Sequence, residues 1–67
     1  MSNYEQVLLH LKDAIRDLKN AEEELKEIMR INNDIDDNYE EYEFEKRIIE
    51  MIRDIEDEIE EIIYDLN

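Results

Sequence analysis

The 67-residue chain has no glycine, no proline, no cysteine and no tryptophan. Without glycine or proline, the tight turns of β-hairpins and the usual helix breakers are both missing. Without cysteine there is no disulfide to staple a small fold and no thiolate zinc site. No run is long or apolar enough to span a bilayer. The opening Met1-Ser2-Asn3-Tyr4-Glu5 has neither the basic start nor the apolar stretch of a secretory leader, so the expected location is cytoplasmic, host cytoplasm if the chain is viral. Positive charge is scarce as well: 8 Lys and Arg stand against 22 Asp and Glu, a net charge of −14. Such a surface repels nucleic acid and anionic membrane, and suits a basic protein or a cation.

Chemistry is thinly provided. Ser2 is the one serine and His10 the one histidine, and no glycine-rich loop is present to hold a phosphate. A di-metal helix motif needs Glu three residues before its His, whereas Val7 stands there before His10. Carboxylates abound, but acid–base catalysis needs one held in a dry pocket. The expectation is a binding protein and not an enzyme, with no catalytic residue and no obligatory cofactor.

What the chain does have is apolar residues at helical spacing. Ser2 with Glu5 three residues on forms a capping box. Tyr4, Val7, Leu8, Leu11, Ala14, Ile15, Leu18, Ala21, Leu25, Ile28 and Met29 follow at three- and four-residue steps. Lys19/Glu23 and Glu22/Lys26 read as balancing pairs on the outside of this helix. Residues 32–38 are rich in turn formers. A second periodic run follows: Phe44, Ile48, Ile49, Met51, Ile52, Ile55, Ile59, Ile62, Ile63 and Leu66. This predicts one acidic helical domain over 1–67: a helix over about 3–31, an acidic link over about 32–38, and a helix over about 39–66. A third short helix near 34–42 is an alternative for the link. The expected fold class is all-α, an antiparallel helical hairpin of two long amphipathic helices that dimerises into a four-helix bundle. Tyr4 and Tyr64 are expected to meet at its open end. The apolar arc on the second helix is wider than one neighbour covers, which assigns Ile49, Met51 and Ile63 to an oligomer interface.

Charge is uneven along the chain, about −2 over residues 1–31 and −12 over residues 32–67. After Arg53 there is no further base, yet Asp54, Glu56, Asp57, Glu58, Glu60, Glu61 and Asp65 follow. Helix C-termini favour cations, and like charges four apart cost ~0.2–0.5 kcal/mol per pair. Asp54/Glu58, Glu56/Glu60, Asp57/Glu61 and Glu61/Asp65 therefore cost roughly 1–2 kcal/mol together. The seven acids span ~16 Å of helix, about one charge per 2.4 Å, against roughly one per 1.7 Å of duplex DNA. A strip of Glu43, Glu50, Asp54, Asp57, Glu58, Glu61 and Asp65 is thus the candidate partner-binding surface, with Tyr39 and Tyr42 as adjoining aromatic contacts. In size, charge and helicity the chain resembles the acidic decoys encoded by phages against restriction, repair or CRISPR effectors. That resemblance implies an inhibitor that presents phosphate-like charge to a basic nucleic-acid-binding protein and does not bind nucleic acid itself. The alternative is a dimeric helical-hairpin adaptor that works through its apolar stripe.

The link carries one further candidate. Asp34, Asp36 and Asn38 followed by Glu45 resemble an EF-hand loop, with oxygen ligands at loop positions 1, 3, 5 and 12. The resemblance implies calcium held by these four residues and by the Glu40 carbonyl. Tyr39 stands where that loop needs glycine, and Glu41 where it has an apolar residue. A plain acidic link is the simpler expectation.

Overall fold

The computed structural model describes residues 3–35 and 39–67, with backbone alone for 32–35 and 39. It is all-helical. Helix α1 runs Glu5–Ile35 and helix α2 runs Tyr39–Leu66, and the two pack side by side as a hairpin. The Leu8 N–H donates to the Tyr4 carbonyl at 2.8 Å, closing the first turn of α1. Ser2, the expected cap, lies outside the described residues, as do Asp36, Asp37 and Asn38 in the link. Helix α1 continues past residue 31, where turn formers suggested its end. Asn and Asp cost only a few tenths of a kcal/mol each in a helix, and no glycine or proline intervenes to stop it.

Every third or fourth residue of each helix forms the seam. On α1 the seam is Leu8, Leu11, Ile15, Leu18, Glu22, Leu25 and Met29, all half-buried or buried. On α2 it is Tyr42, Glu45, Ile49, Ile52, Glu56, Ile59, Ile63 and Leu66, again all half-buried or buried. The alternating three- and four-residue steps are those of a coiled coil, which keep one stripe of each helix turned to its neighbour. Three of these seam positions hold glutamates. Among the described residues Ile49 is the one apolar side chain buried outright, at 6% exposure. Two helices side by side cover each other along one stripe only, so a thin core is the geometric consequence. The molecule measures 55 × 15 × 10 Å with a radius of gyration of 15.7 Å, against ~11 Å for a compact chain of this length.

The pairing corrects the interface assigned from sequence. Ile49 and Ile63 are seam residues within the hairpin, and of the three only Met51 points outward, at 58% exposure. Apolar periodicity misplaced them because Glu45 and Glu56 hold seam positions that a count of apolar residues passes over. Tyr64 does not join Tyr4 in a packed cluster: it is 82% exposed, and Tyr4 is also largely exposed. The ion pairs on α1 also differ from expectation, linking Arg16 to Asp13 at 3.1 Å, Lys26 to Glu23 at 3.8 Å, and Arg30 to Glu27. Lys26 turns to Glu23 because Glu22 is drawn into the seam. These exposed pairs each contribute ~0–1 kcal/mol at most.

With so small a core, stability should concentrate at the buried isoleucine. Ile49→Ala is expected to cost ~2 kcal/mol or more, whereas Tyr64→Ala should change stability by less than ~0.5 kcal/mol. Urea denaturation followed by helical circular dichroism, at one protein concentration, compares the two.

Candidate partner-binding surfaces

The hairpin separates its chemistry by side. Positions that immediately precede seam residues fall on one flank of both helices, because the helices run antiparallel and each residue turns ~100° from the last. Seven of these positions form an apolar row, Val7, Ala14, Ala21 and Ile28 on α1 with Ile48, Ile55 and Ile62 on α2, while His10, Asp17, Glu24, Glu41, Glu58 and Asp65 also precede seam residues. All seven are half-buried or exposed, so the apolar arc continues past the seam into solvent. The opposite flank, which follows the seam, carries five bases, Lys12, Lys19 and Lys26 on α1 with Lys46 and Arg53 on α2, and the acid Glu60 in register with them. The outer face of α2, turned away from α1, holds the acids.

The basic flank serves the seam. Glu22 and Glu56 face each other across the two helices near mid-length, both largely buried. Arg53 donates from Nε to a Glu22 carboxylate oxygen at 3.3 Å. The Glu56 carboxyl is held above the ordinary carboxylate range, first by sharing a hydrogen bond with Glu22, then by burial and by the Glu22 charge, while Lys19 opposes the shift. The same shared hydrogen bond, with Arg53 and Lys26 nearby, holds Glu22 below that range against the effect of burial. Of the two, Glu56 is therefore the carboxyl that takes up a proton first as pH falls, and Glu22 the one that keeps its charge longest. Glu56 Oε1 and Glu45 Oε2 are buried without a hydrogen-bond partner.

Of the expected acidic strip, Glu50, Asp54, Asp57, Glu58, Glu61 and Asp65 are exposed along α2, and Glu43 is half-buried. None of the seven forms an ion pair among the described residues. The run after Arg53 is less uniform than the sequence implied, since Glu56 turns into the seam. From Glu50 to Asp65 the exposed acids cover ~23 Å, about one per 4 Å, close to the ~3.4 Å per charge along a single DNA strand. Tyr42 is half-buried on the seam, and the Lys46 ammonium sits 5.9 Å from its ring centroid, so much of its face is already covered. The Tyr39 side chain lies outside the described residues.

Two open depressions run between successive turns of α2. Glu43, Lys46, Arg47 and Glu50 line one, and Met51, Asp54, Ile55 and Glu58 line the other. The calcium-loop resemblance meets helical backbone at residue 34 and again from residue 39 onward. Only its positions at 36 and 38 fall between the helices, outside the described residues, and Glu45 is buried in the seam. No group of three or more His, Cys, Asp or Glu among the described residues is placed to hold a metal. Nor is any helix among them long and apolar enough to cross a membrane. Compared with known protein families, with curated proteins and with solved structures, the chain shows no significant match.

The seam carboxyl pair sets a pH dependence. Glu56 has a folded pKa above its unfolded value, so its cost is full at neutral pH and is relieved as pH falls through that raised pKa. Glu22 runs the other way: its lowered pKa stabilises the fold above the ordinary carboxylate range, and that gain is lost as pH falls through the lowered value. Melting temperature should therefore rise on mild acidification from neutral pH and drop again in stronger acid. Glu56→Gln, which keeps the donor and removes the charge, should raise the neutral-pH melting temperature and flatten the rise. A rise that survives in Glu56→Gln belongs to general charge repulsion instead of this pair.

Proposed function

We propose that the chain is a small acidic binding protein that acts without catalysis, using the outer face of α2 to occupy a basic, nucleic-acid-binding surface on another protein. The observation that carries this reading is the row of exposed, unpaired carboxylates from Glu50 to Asp65, on a face with no base between Arg53 and the end of the helix. Carboxylates at this spacing accept charge-assisted hydrogen bonds from the Lys and Arg side chains that otherwise grip phosphate. Inhibition would follow from competition: the basic surface cannot hold the hairpin and nucleic acid at once. The proposed cellular setting is cytoplasmic, as for a phage-type anti-defence or anti-restriction decoy.

A second reading rests on a different feature, the apolar flank of Val7, Ala14, Ala21, Ile28, Ile48, Ile55 and Ile62. Here the hairpin is a homodimeric adaptor whose acids only keep it in solution. Contiguous exposed apolar surface on a small protein marks an interaction site.

The two readings place the working residues on different sides of the molecule. Neutralising four acids together (Asp54→Asn, Asp57→Asn, Glu61→Gln and Asp65→Asn) removes like-charge repulsion and should leave helicity intact or improved. In pull-downs from nuclease-treated lysate, the unmodified protein should retain a nucleic-acid-binding protein at low salt and release it at high salt, since exposed charge pairing is screened. The fourfold variant should retain at least tenfold less. Equal capture by the variant, or capture indifferent to salt, rejects the decoy reading.

A further inference from the structure

The hairpin leaves its own core unfinished. The seam residues Leu11, Leu18, Leu25, Ile52, Ile59 and Leu66 are only half-buried, and the apolar row beside them is open. The accessible surface is 5587 Å² for 8.3 kDa, whereas a compact monomer of that mass exposes ~4,600 Å². The excess, about 1,000 Å², matches the ~800 Å² that each partner contributes to a standard stable interface.

We infer that this flank is covered by a second copy of the chain, related by a two-fold axis parallel to the helices, so that α1 of each copy lies against α2 of the other. The inference takes the homodimer of the second reading above and assigns its geometry. Side-chain size selects the arrangement. Along the flank, α1 is small at its middle (Ala14, Ala21), while α2 is bulky throughout (Ile48, Ile55, Ile62). With Glu22 level with Glu56, antiparallel counting puts Ala21 within a turn of Ile55 and Ala14 within a turn of Ile62. A two-fold parallel to the helices keeps those levels, so the isoleucine ridge of one copy enters the alanine trough of its partner. A two-fold perpendicular to the helices would instead set alanine on alanine and isoleucine on isoleucine, leaving voids at one contact and overpacking the other.

Charge selects the same arrangement. Residues 32–67 carry about −12 and residues 1–31 about −2. Parallel-axis pairing places the two α2 helices at diagonal corners of the bundle, with their acidic outer faces on opposite sides. The perpendicular alternative brings them side by side, with Glu58 and Asp65 of both copies in one groove. In the favoured arrangement every neighbouring pair of helices is antiparallel, and a dimer offers two separate acidic faces.

Sedimentation in ~0.15 M salt, where the Debye length is ~8 Å, should give twice the 8.3 kDa chain mass at micromolar concentration. A single 8.3 kDa species up to hundreds of micromolar overturns the inference. Because the chain has no cysteine, engineered thiols report the geometry cleanly. Ala21→Cys and Ile55→Cys proteins, mixed and oxidised, should form the mixed disulfide, and neither should cross-link well alone. Ready self-linkage of Ile55→Cys indicates the perpendicular axis and rejects the proposal. Ile55→Lys should weaken dimerisation at least tenfold; if that variant loses its helices, the cross-link on the otherwise native chain decides. These readouts need no outside partner, so they stand or fall separately from the decoy reading.

Discussion

Two carboxyl groups, Glu22 and Glu56, meet where the helices of this hairpin would otherwise pack apolar on apolar, and the rest of the arrangement accommodates them. They share the seam with Arg53 supplying a charged donor to Glu22 at 3.3 Å, and their proton affinities are pushed apart, Glu56 upward and Glu22 downward. Buried polar layers of this kind cost stability relative to apolar ones, and their best-attested return is a fixed register. Here the register would be set by a single level: Glu22 must stay opposite Glu56 and within reach of Arg53. Sliding one helix by a heptad would set each carboxyl against an apolar side chain and take Glu22 out of reach of Arg53.

That constraint also explains how charge is distributed. Bases are few, and five of the eight (Lys12, Lys19, Lys26, Lys46 and Arg53) stand on the single flank beside the seam, where Lys19, Lys26 and Arg53 act on the Glu22–Glu56 pair. The outer face of α2 is then left with acids and almost no cations. The opposite flank keeps the apolar row of Val7, Ala14, Ala21, Ile28, Ile48, Ile55 and Ile62, with Glu41 at the start of α2. A three-way division into basic, acidic and apolar sides follows from two antiparallel helices whose heptads are in phase. The functional proposals draw on the two sides that the hairpin does not itself use.

Sequence and structure agree where local rules suffice. The two helices, their amphipathic character and the exposure of Glu50, Asp54, Asp57, Glu58, Glu61 and Asp65 all follow from spacing at 100° per residue. The end of α1 did not, because Asn and Asp favour turns only weakly and nothing stronger stands between residue 31 and residue 35. The working faces of Ile49 and Ile63 did not follow either. Ile48, Ile52, Ile55, Ile59, Ile62 and Leu66 make an uninterrupted coiled-coil stripe, and apolar counting prefers it to the seam that contains Glu45 and Glu56.

The sequence by itself determined that this chain is helical, that its helices each have a broad apolar arc, and that its second half carries nearly all the net negative charge. Those properties are local, set by propensity, period and composition. The tertiary structure decided which edge of each arc is turned inward. Periodicity gives the width of an apolar arc, and the packing of the partner helix, which sets Glu22 opposite Glu56 and within reach of Arg53, fixes which edge of it faces inward. That choice buried Ile49, turned Glu56 away from the acidic face, and left Ile55 and Ile62 on the surface.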